Sequence, residues 1–434
     1  MSEAESLKRS HAWRSQFRTR NHEAAHDTGA ASAPIHCEHE LVCRDKAHVV
    51  DTQELLEGLL GRLRAAGSFA FDSEFIGELS YVPKLCLIQI ATSAEIALVD
   101  PLAPIELKPL WEVLADASVE KIVHAGAQDM EPVTRILGRP AVRVVDAQIA
   151  AGFARLPYPI SLQRLVLHTL KVKLGKGLTF TDWQQRPLST QQVRYAADDV
   201  RYLPAAWAEL RKTLEAGGAM GWVAQECEAM CQAPPYQFSP ETSFLKIRGA
   251  GALDAKHLGI LRELAIWRNQ TAQSADLPPR TVVSDEIMVD MARRAPSSEE
   301  KLQNIHGLPR PVRVAHGGEI LAAIAQGLQQ GIHVEPEMRK SDELPSDQFR
   351  IDSILAVAQS MCMAHGIDPQ IAFTRGDIAE MLRALSGGKD TAGCRVMQGW
   401  RGEVVGRPLV AFCRGETPLQ LGWREGMLQS KDRR

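Results

Sequence analysis

Four carboxylates and one tyrosine in the first half of the chain have the types and spacing to act on a charged ester. The first pair is Asp72-Ser73-Glu74, inside the alternating run Ser68-Phe-Ala-Phe-Asp-Ser-Glu-Phe75. Residues two apart on a strand share a face. Asp72 and Glu74 therefore project together with Ala70, while Phe69, Phe71 and Phe75 point the other way. The second element is His124-Ala-Gly-Ala-Gln-Asp129-Met-Glu131, directly after the strand-like Lys121-Ile-Val123. This places Asp129 at the start of a helix. The third is Tyr195-Ala-Ala-Asp-Asp199-Val-Arg-Tyr202. Residues four apart stack on one helix face, so Tyr195 and Asp199 point together. Asp198 is turned about 100° away.

Taken singly, each element has an ordinary reading. Acidic pairs are common on exposed strand faces, an aspartate is a favoured helix cap, and His124 reads as a satisfied turn histidine. Taken together, the five suit hydrolysis of a phosphodiester. Adjacent carboxylates repel, and both stay ionised near neutral pH when divalent cations lie between them. Two such ions, about 3.5–4 Å apart, can generate hydroxide and stabilise the charge of an in-line displacement. Oxygen-rich donors suit Mg²⁺ or Mn²⁺.

These residues need a scaffold. Asp51 to Ala66 carries leucines at helical spacing and stops at Gly67. The strand of the first pair is followed by two short apolar runs, Leu85–Ala91 and Ile96–Val99, which predict an antiparallel meander. Helical patterns then alternate with strand-like Lys121–His124 and Val142–Val145. A meander followed by alternating helices and strands predicts a mixed α/β sheet flanked by helices. From about residue 160 the pattern is mostly helical. Breaker-rich Ala233-Pro-Pro-Tyr-Gln-Phe-Ser-Pro240 and the charged stretch from Glu335 to Ser346 read as connections. The expected organisation is a loosely attached extension over 1–40, an α/β domain over 41–215, a linker over 216–249, a helical domain over 250–332, a linker over 333–346 and a second helical domain over 347–434.

The 434 residues include 50 basic and 53 acidic side chains, a net charge of −3. That balance argues against a general nucleic-acid coat protein and leaves room only for a local basic footprint. Most of the eight cysteines sit in apolar runs, which reads as reduced thiols rather than a disulfide framework. Cys227 and Cys231 fall four apart on a helical pattern and read as buried thiols before they read as a metal or redox pair. His36, Cys37, His39 and Cys43 lie close together, but their spacing fits no standard zinc pattern. No apolar run reaches membrane length and no signal-peptide core is present, so a cytoplasmic location without membrane contact is expected.

The motifs FAFDSEF, HAGAQDME and YAADDVRYL resemble the three exonuclease motifs of the DEDD superfamily in its tyrosine-containing branch, in the form found in the ribonuclease D family. YVPKLCLIQIA, DAQIAAGF and TDWQQRPLSTQQ carry the likeness between them, over roughly 45–215. The resemblance implies a ribonuclease-H-like fold and 3′→5′ exonuclease activity with two divalent cations, releasing nucleoside 5′-monophosphates. Asp72 would bridge both metals. Glu74 and Asp199 would complete the site of the nucleophile-generating metal, and Asp129 would serve the second. Tyr195 would orient the attacking water, with Glu74 helping. The family often has Thr where Ser73 stands and Lys-Ser where Lys176-Gly177 stands.

Residues 250–330 resemble an HRDC domain, most clearly at Trp267, Leu277-Pro-Pro and Ile305-His-Gly-Leu-Pro309. The last block, with GIDPQIAFTRGDIAEMLRAL and GWRGEVVGRPL, resembles a second one. By that likeness Arg262, Arg268, Arg280, Arg293 and Arg294 are candidate RNA contacts. The implied partner is RNA with a free 3′ end, tRNA precursors above all, acted on by a monomer. A DNA 3′→5′ exonuclease would use the same five residues, and a non-catalytic RNA-binding protein could keep the scaffold. RNA/DNA competition separates the first, since the 2′-hydroxyl can be sensed. Loss of an acidic ligand would mark the second, and none is lost.

Overall fold

The computed structural model describes residues 37–77, 80–175, 181–232, 238–331, 344–418, 420–424 and 427–430. Most of the expected extension over 1–40, most of the linker over 333–346, and Lys176-Gly177 lie outside them. Contacts divide the chain into two compact units. One holds the α/β fold and the last helical block, the other Ile76–Lys84 and Tyr236–Asp342.

In the first unit the chain order is β1 (His48–Val50), α1 (Gln53–Ala66), β2 (Ser68–Ile76), β3 (Lys84–Ala91), β4 (Ile96–Val99), α2 (Lys108–Leu114), β5 (Glu120–Val123), α3 (Ala127–Leu137), β6 (Val144–Asp146), α4 (Ala147–Gly152), α5 (Leu162–Leu170), α6 (Thr190–Arg201), α7 (Leu203–Ala216) and α8 (Met220–Gln232). The six strands form one sheet in the order β1-β4-β3-β2-β5-β6. β3 and β4 are antiparallel, with Gln89 opposite Leu98. β2 runs parallel to β5, and β5 to β6. This is the mixed sheet the sequence predicts. The short β1 adds a parallel edge beside β4; three residues give no alternation to read.

Period-two patterning decides which side chains face which layer. Phe69, Phe71, Ile88 and Ile90 are fully buried in one core with Leu56, Leu59 and Leu63 of α1 and Leu110 and Trp111 of α2. Each such side chain contributes about 1.5–3 kcal/mol on burial. Helix α1 starts where the Thr52 hydroxyl accepts the Leu55 N–H, and Gly67 ends it at φ 70°. The opposite core joins Ala70, Ala91 and Ile96 to Ala197 and Val200 of α6, Trp207 of α7 and Val223 and Cys227 of α8.

Two sequence expectations need correction here. The linker over 216–249 contains α8, thirteen residues long. Val223, Cys227 and Cys231 recur every four residues on it and are buried, so it packs as a core helix. The block over 347–434, expected as a domain of its own, shares the second core: Met361, Phe373 and Trp400 belong to the same cluster as Ala70. The indole of Trp400 meets the Phe153 ring edge-on at 4.9 Å. The Arg155 N–H donates to the Gly366 carbonyl at 3.0 Å, and the Asp368 N–H to the Gly152 carbonyl at 2.7 Å. This block is helical and closes with a two-stranded hairpin, Leu421–Arg424 against Met427–Ser430.

The other unit is built on α9 (Ala255–Ser274), α10 (Asp285–Arg294) and α11 (Arg310–Gln330). Gly259 and Gly327 allow α9 and α11 to touch backbone to backbone, since a Cβ on Gly259 would stand 2.7 Å from the Gly327 carbonyl. Trp267 is buried, and its indole N–H donates to Glu319 at 2.9 Å. Among the described residues no helix is long and apolar enough to cross a membrane.

Candidate active site

Strand β2 delivers Asp72, Ser73 and Glu74 at its carboxyl end. The three are half-buried, where the strand leaves the core. The parallel register Ala70 to Ile122 sets the end of β5 beside them. From there His124, Ala125 and Gly126 turn the chain into α3, whose first turn carries Asp129. Open α/β sheets bind ligands at the carboxyl ends of their strands, and these two parallel strands end at the acidic residues.

The turn is tightly specified. Ala125 has φ 57°. A Cβ on Gly126 would stand 2.5 Å from the Val123 side chain, so only glycine fits. Asp129 is nearly inaccessible, at 7% exposure. Its carboxylate accepts a hydrogen bond from the Ser73 hydroxyl. Ser73 belongs to the site, at the end of β2 where residues 72–76 are all half-buried and burial no longer alternates.

Helix α6 supplies the rest. Ser189 caps it in a reciprocal box with Gln192, and Ala196, Ala197 and Val200 bury its inner face. Tyr195 and Asp199 share a face, and the phenol donates to the Asp199 carboxylate. Asp198 is turned away, 3.3 Å from Arg201 and 3.9 Å from Arg194. Trp183 lies 6.1 Å from the Tyr195 ring. The loop carrying Trp183 is anchored by Arg186, which grips Asp100 at 2.6 and 2.7 Å and donates to the Trp183 carbonyl at 2.8 Å. Arg186 and Asp100 carry no sequence signal that separates them from ordinary surface charges.

The electrostatics join the five residues. Burial, then the charges of Asp129, Asp199 and Glu74, push the Asp72 carboxyl well above its usual range. Burial and the Asp199 and Asp129 charges push Glu74 to about 8. Burial raises Asp199 to about 7, against the Tyr195 hydrogen bond, and Asp129 to about 6, against the Ser73 hydrogen bond. Burial and the Asp199, Glu74 and Asp72 charges raise the Tyr195 phenol, which therefore stays protonated. Burial is the largest cause in each case, repulsion adds to it at Asp72 and Glu74, and divalent cations relieve such repulsion. By type, number and charge, the four carboxylates fit hard divalent ions. Among the described residues no three or more acidic, imidazole or thiol side chains are placed to hold a metal ion as they stand. Asp129 is turned onto Ser73, and a metal would compete with that hydroxyl.

Other expected positions resolve differently. Burial lowers the pKa of His124, but its buried Nδ1 has no hydrogen-bond partner among the described residues, so the expected satisfied turn histidine is not what the structure shows. Near the N-terminus, His39 faces Glu209 at 3.4 Å and Cys43 is buried. Cys227 and Cys231 are buried thiols whose pKa burial raises. Of the five candidate RNA contacts, Arg268 must be corrected. It is 8% exposed and bonds the Val283 carbonyl and Asp285 within its own unit. Arg262 is held by Glu263 and Gln330. Arg280 is exposed and lies 3.0 Å from Asp285. Arg293 is exposed, and Arg294 is exposed beside Asp290.

Comparison with known proteins agrees with this layout. A family profile described as a 3′-5′ exonuclease matches residues 47–215, and an HRDC domain profile matches residues 257–324. Ribonuclease D of Gluconacetobacter diazotrophicus is 31% identical over 374 residues, which cover 86% of this chain and 94% of its own. Ribonuclease D of Zymomonas mobilis is 34% identical over 372 residues, 83% of this chain and 92% of its own. The crystal structure of Escherichia coli ribonuclease D, described as an exoribonuclease involved in structured RNA processing, aligns with a TM-score of 0.74 at 29% identity, over 86% of this chain and 100% of that one.

Proposed function

The chain belongs to the ribonuclease D family of 3′→5′ exoribonucleases, and on that premise we propose that Asp72, Glu74, Asp129, Tyr195 and Asp199 are its catalytic residues. The carrying observation is that parallel pairing of β2 with β5 sets Asp72 and Glu74 beside the start of α3, where the Asp129 carboxylate accepts from Ser73; burial, with neighbouring charge, raises the four carboxyl pKa values there. Such a cluster is costly alone and is relieved by divalent cations.

Asp72, Glu74, Asp129 and Asp199 would hold two divalent ions, Mg²⁺ or Mn²⁺. When bound, these would activate a water and stabilise the charge that develops on the phosphodiester. The protein does the rest. Tyr195 stays protonated; its O–H, which reaches Asp199 here, would turn to the attacking water to orient it and would not deprotonate it. Glu74 accepts from the same water. Ser73 holds the Asp129 carboxylate, and Trp183 lies beside the Tyr195 ring.

The substrate reading is RNA with a free 3′ end, and tRNA precursors in particular. The exposed Arg280, Arg293 and Arg294 of the HRDC unit are the proposed backbone contacts. The protein is read as a monomer of the cytoplasm. Digestion of 3′-labelled and 5′-labelled RNA, with Mg²⁺ and with EDTA, tests the reading. Mononucleotide release from the 3′ label first, and only with metal, is expected. Metal-independent cleavage, or release from the 5′ end, would overturn it. A matched DNA oligonucleotide in competition tests the preference for RNA.

A further inference from the structure

Asp146 ends β6 with its carboxylate almost fully buried, at 1% exposure. It accepts four backbone N–H groups from two different segments. Oδ1 takes Gln148 at 2.8 Å and Ile149 at 3.3 Å, the ordinary capping bonds of α4. Oδ1 also takes Ala125 at 3.1 Å, and Oδ2 takes Gly126 at 2.9 Å. Capping α4 needs only Oδ1; the second oxygen serves the turn ahead of α3 alone. That turn holds Ala125 at positive φ, which a residue with a Cβ adopts reluctantly, and it admits only glycine at 126. The strand register brings the two segments together, since Val123 pairs with Asp146. The Asp146 N–H is in turn satisfied by the Cys227 thiol of α8 at 3.3 Å.

We propose that Asp146 is a positioning residue for catalysis: it locks the Ala125-Gly126 turn, and so fixes the start of α3 and the place of Asp129. The inference rests on Asp129 serving a metal. Asp129 stands three residues beyond Gly126 on a helix whose first bond, Met130 N–H to the Gly126 carbonyl, starts from that glycine. A helix moves as a rigid element, so a shift at Gly126 carries the carboxylate with it. Outer partners of this kind set metal affinity by orienting the ligand.

The test is Asp146→Asn. Asparagine caps a helix as well as aspartate, so Oδ1 keeps its three donors while an amide NH₂ replaces the oxygen facing Gly126. The bond to Gly126 is broken, while the Ala125 bond and the cap of α4 are spared. Mn²⁺ binding to the full chain, followed by calorimetry and by electron paramagnetic resonance, is expected to weaken by about 10–100-fold at one ion. kcat should fall and recover in part at high metal. A variant with the wild-type isotherm and kcat, and only a lower melting temperature, would make Asp146 structural and overturn the proposal. Should Asp146→Asn not fold, Asp146→Ser replaces it, because serine still caps α4 but has no second oxygen for Gly126; a wild-type isotherm there would overturn the proposal equally. Asp72→Asn is run in parallel. If it keeps Mn²⁺ binding and activity, the site assignment itself fails. If it loses both while Asp146→Asn keeps both, only this inference fails.

Discussion

Arg401 holds Glu226 with two parallel hydrogen bonds of 2.6 and 2.8 Å, although 175 residues separate them. The same guanidinium donates to the Ala372 carbonyl at 2.6 Å and the Ile371 carbonyl at 2.9 Å. The Trp400 indole adds a bond to Glu226 at 2.7 Å. This network ties α8 to the last helical block. Glu226→Ala leaves a buried cation unpaired, which costs about 3–5 kcal/mol. Because the Glu226 side chain is 19% exposed, the lower end is expected. Urea denaturation measures it, and an unchanged midpoint would contradict a shared core.

The same pair gives stability a signed dependence on pH. Burial alone would raise the Glu226 carboxyl, but the Arg401 and Trp400 hydrogen bonds outweigh it and hold the carboxyl below its ordinary value. Its contribution is present above the unfolded pKa and disappears as pH falls through the folded one. Acid unfolding below about pH 4 should therefore begin at a higher pH in Glu226→Gln than in the wild type.

The proposed catalytic cluster behaves in the opposite sense. With carboxyl pKa values raised to about 6, 7 and 8 at Asp129, Asp199 and Glu74, stability is present at low pH and is lost as pH rises through those values. In EDTA the melting temperature should fall between pH 5 and pH 9, and Mn²⁺ at a hundred times its Kd should restore about 2.7 kcal/mol. A flat profile in EDTA would count against the repulsive cluster.

Asp72→Asn and Asp199→Asn each remove a ligand charge. Both should lower metal-dependent kcat by at least about 100-fold while raising stability in EDTA at pH 8, since repulsion is relieved. Single-turnover digestion of a short RNA, paired with thermal melting, reads both effects. Tyr195→Phe removes only the oriented hydroxyl, and kcat should drop by about 100-fold with little change in KM. Its pH–rate profile should keep the wild-type alkaline limb, because the phenol never ionises in that range.

Arg268 and Arg293 should separate stability from binding. Arg268→Ala leaves Asp285 with only the exposed Arg280 and should destabilise the HRDC unit by about 3 kcal/mol. Arg293→Ala with Arg294→Ala should leave stability unchanged, weaken RNA binding and reduce its salt slope by about 1–2. Filter binding at several salt concentrations distinguishes the two variants.

The local part of the site is legible in sequence because strand and helix periods are short-range rules. Asp72 and Glu74 share a face by the period of two, Tyr195 and Asp199 by four-residue spacing, and Phe69 and Phe71 declare the buried side. Ser73, Arg186, Asp100 and Asp146 are not legible, because their roles depend on which loop the fold brings to them. Arg268 misleads for the same reason: in sequence a buried arginine looks like an exposed one until its partner Asp285 is in view.

The sequence by itself determined the chemistry and the elements: an acidic constellation with a neutral tyrosine, on a mixed sheet, followed by helices. Hydrophobic periodicity and carboxylate spacing carry that information within a few residues. Only the tertiary structure decided how the motifs cohere. Parallel pairing of β2 with β5 brings Asp129 toward Asp72, and pairing of β5 with β6 places the Asp146 carboxylate on the turn ahead of Asp129. The Glu226–Arg401 pair joins the final block to the core of the α/β fold. Such contacts join residues tens to hundreds of positions apart, and no local propensity encodes them.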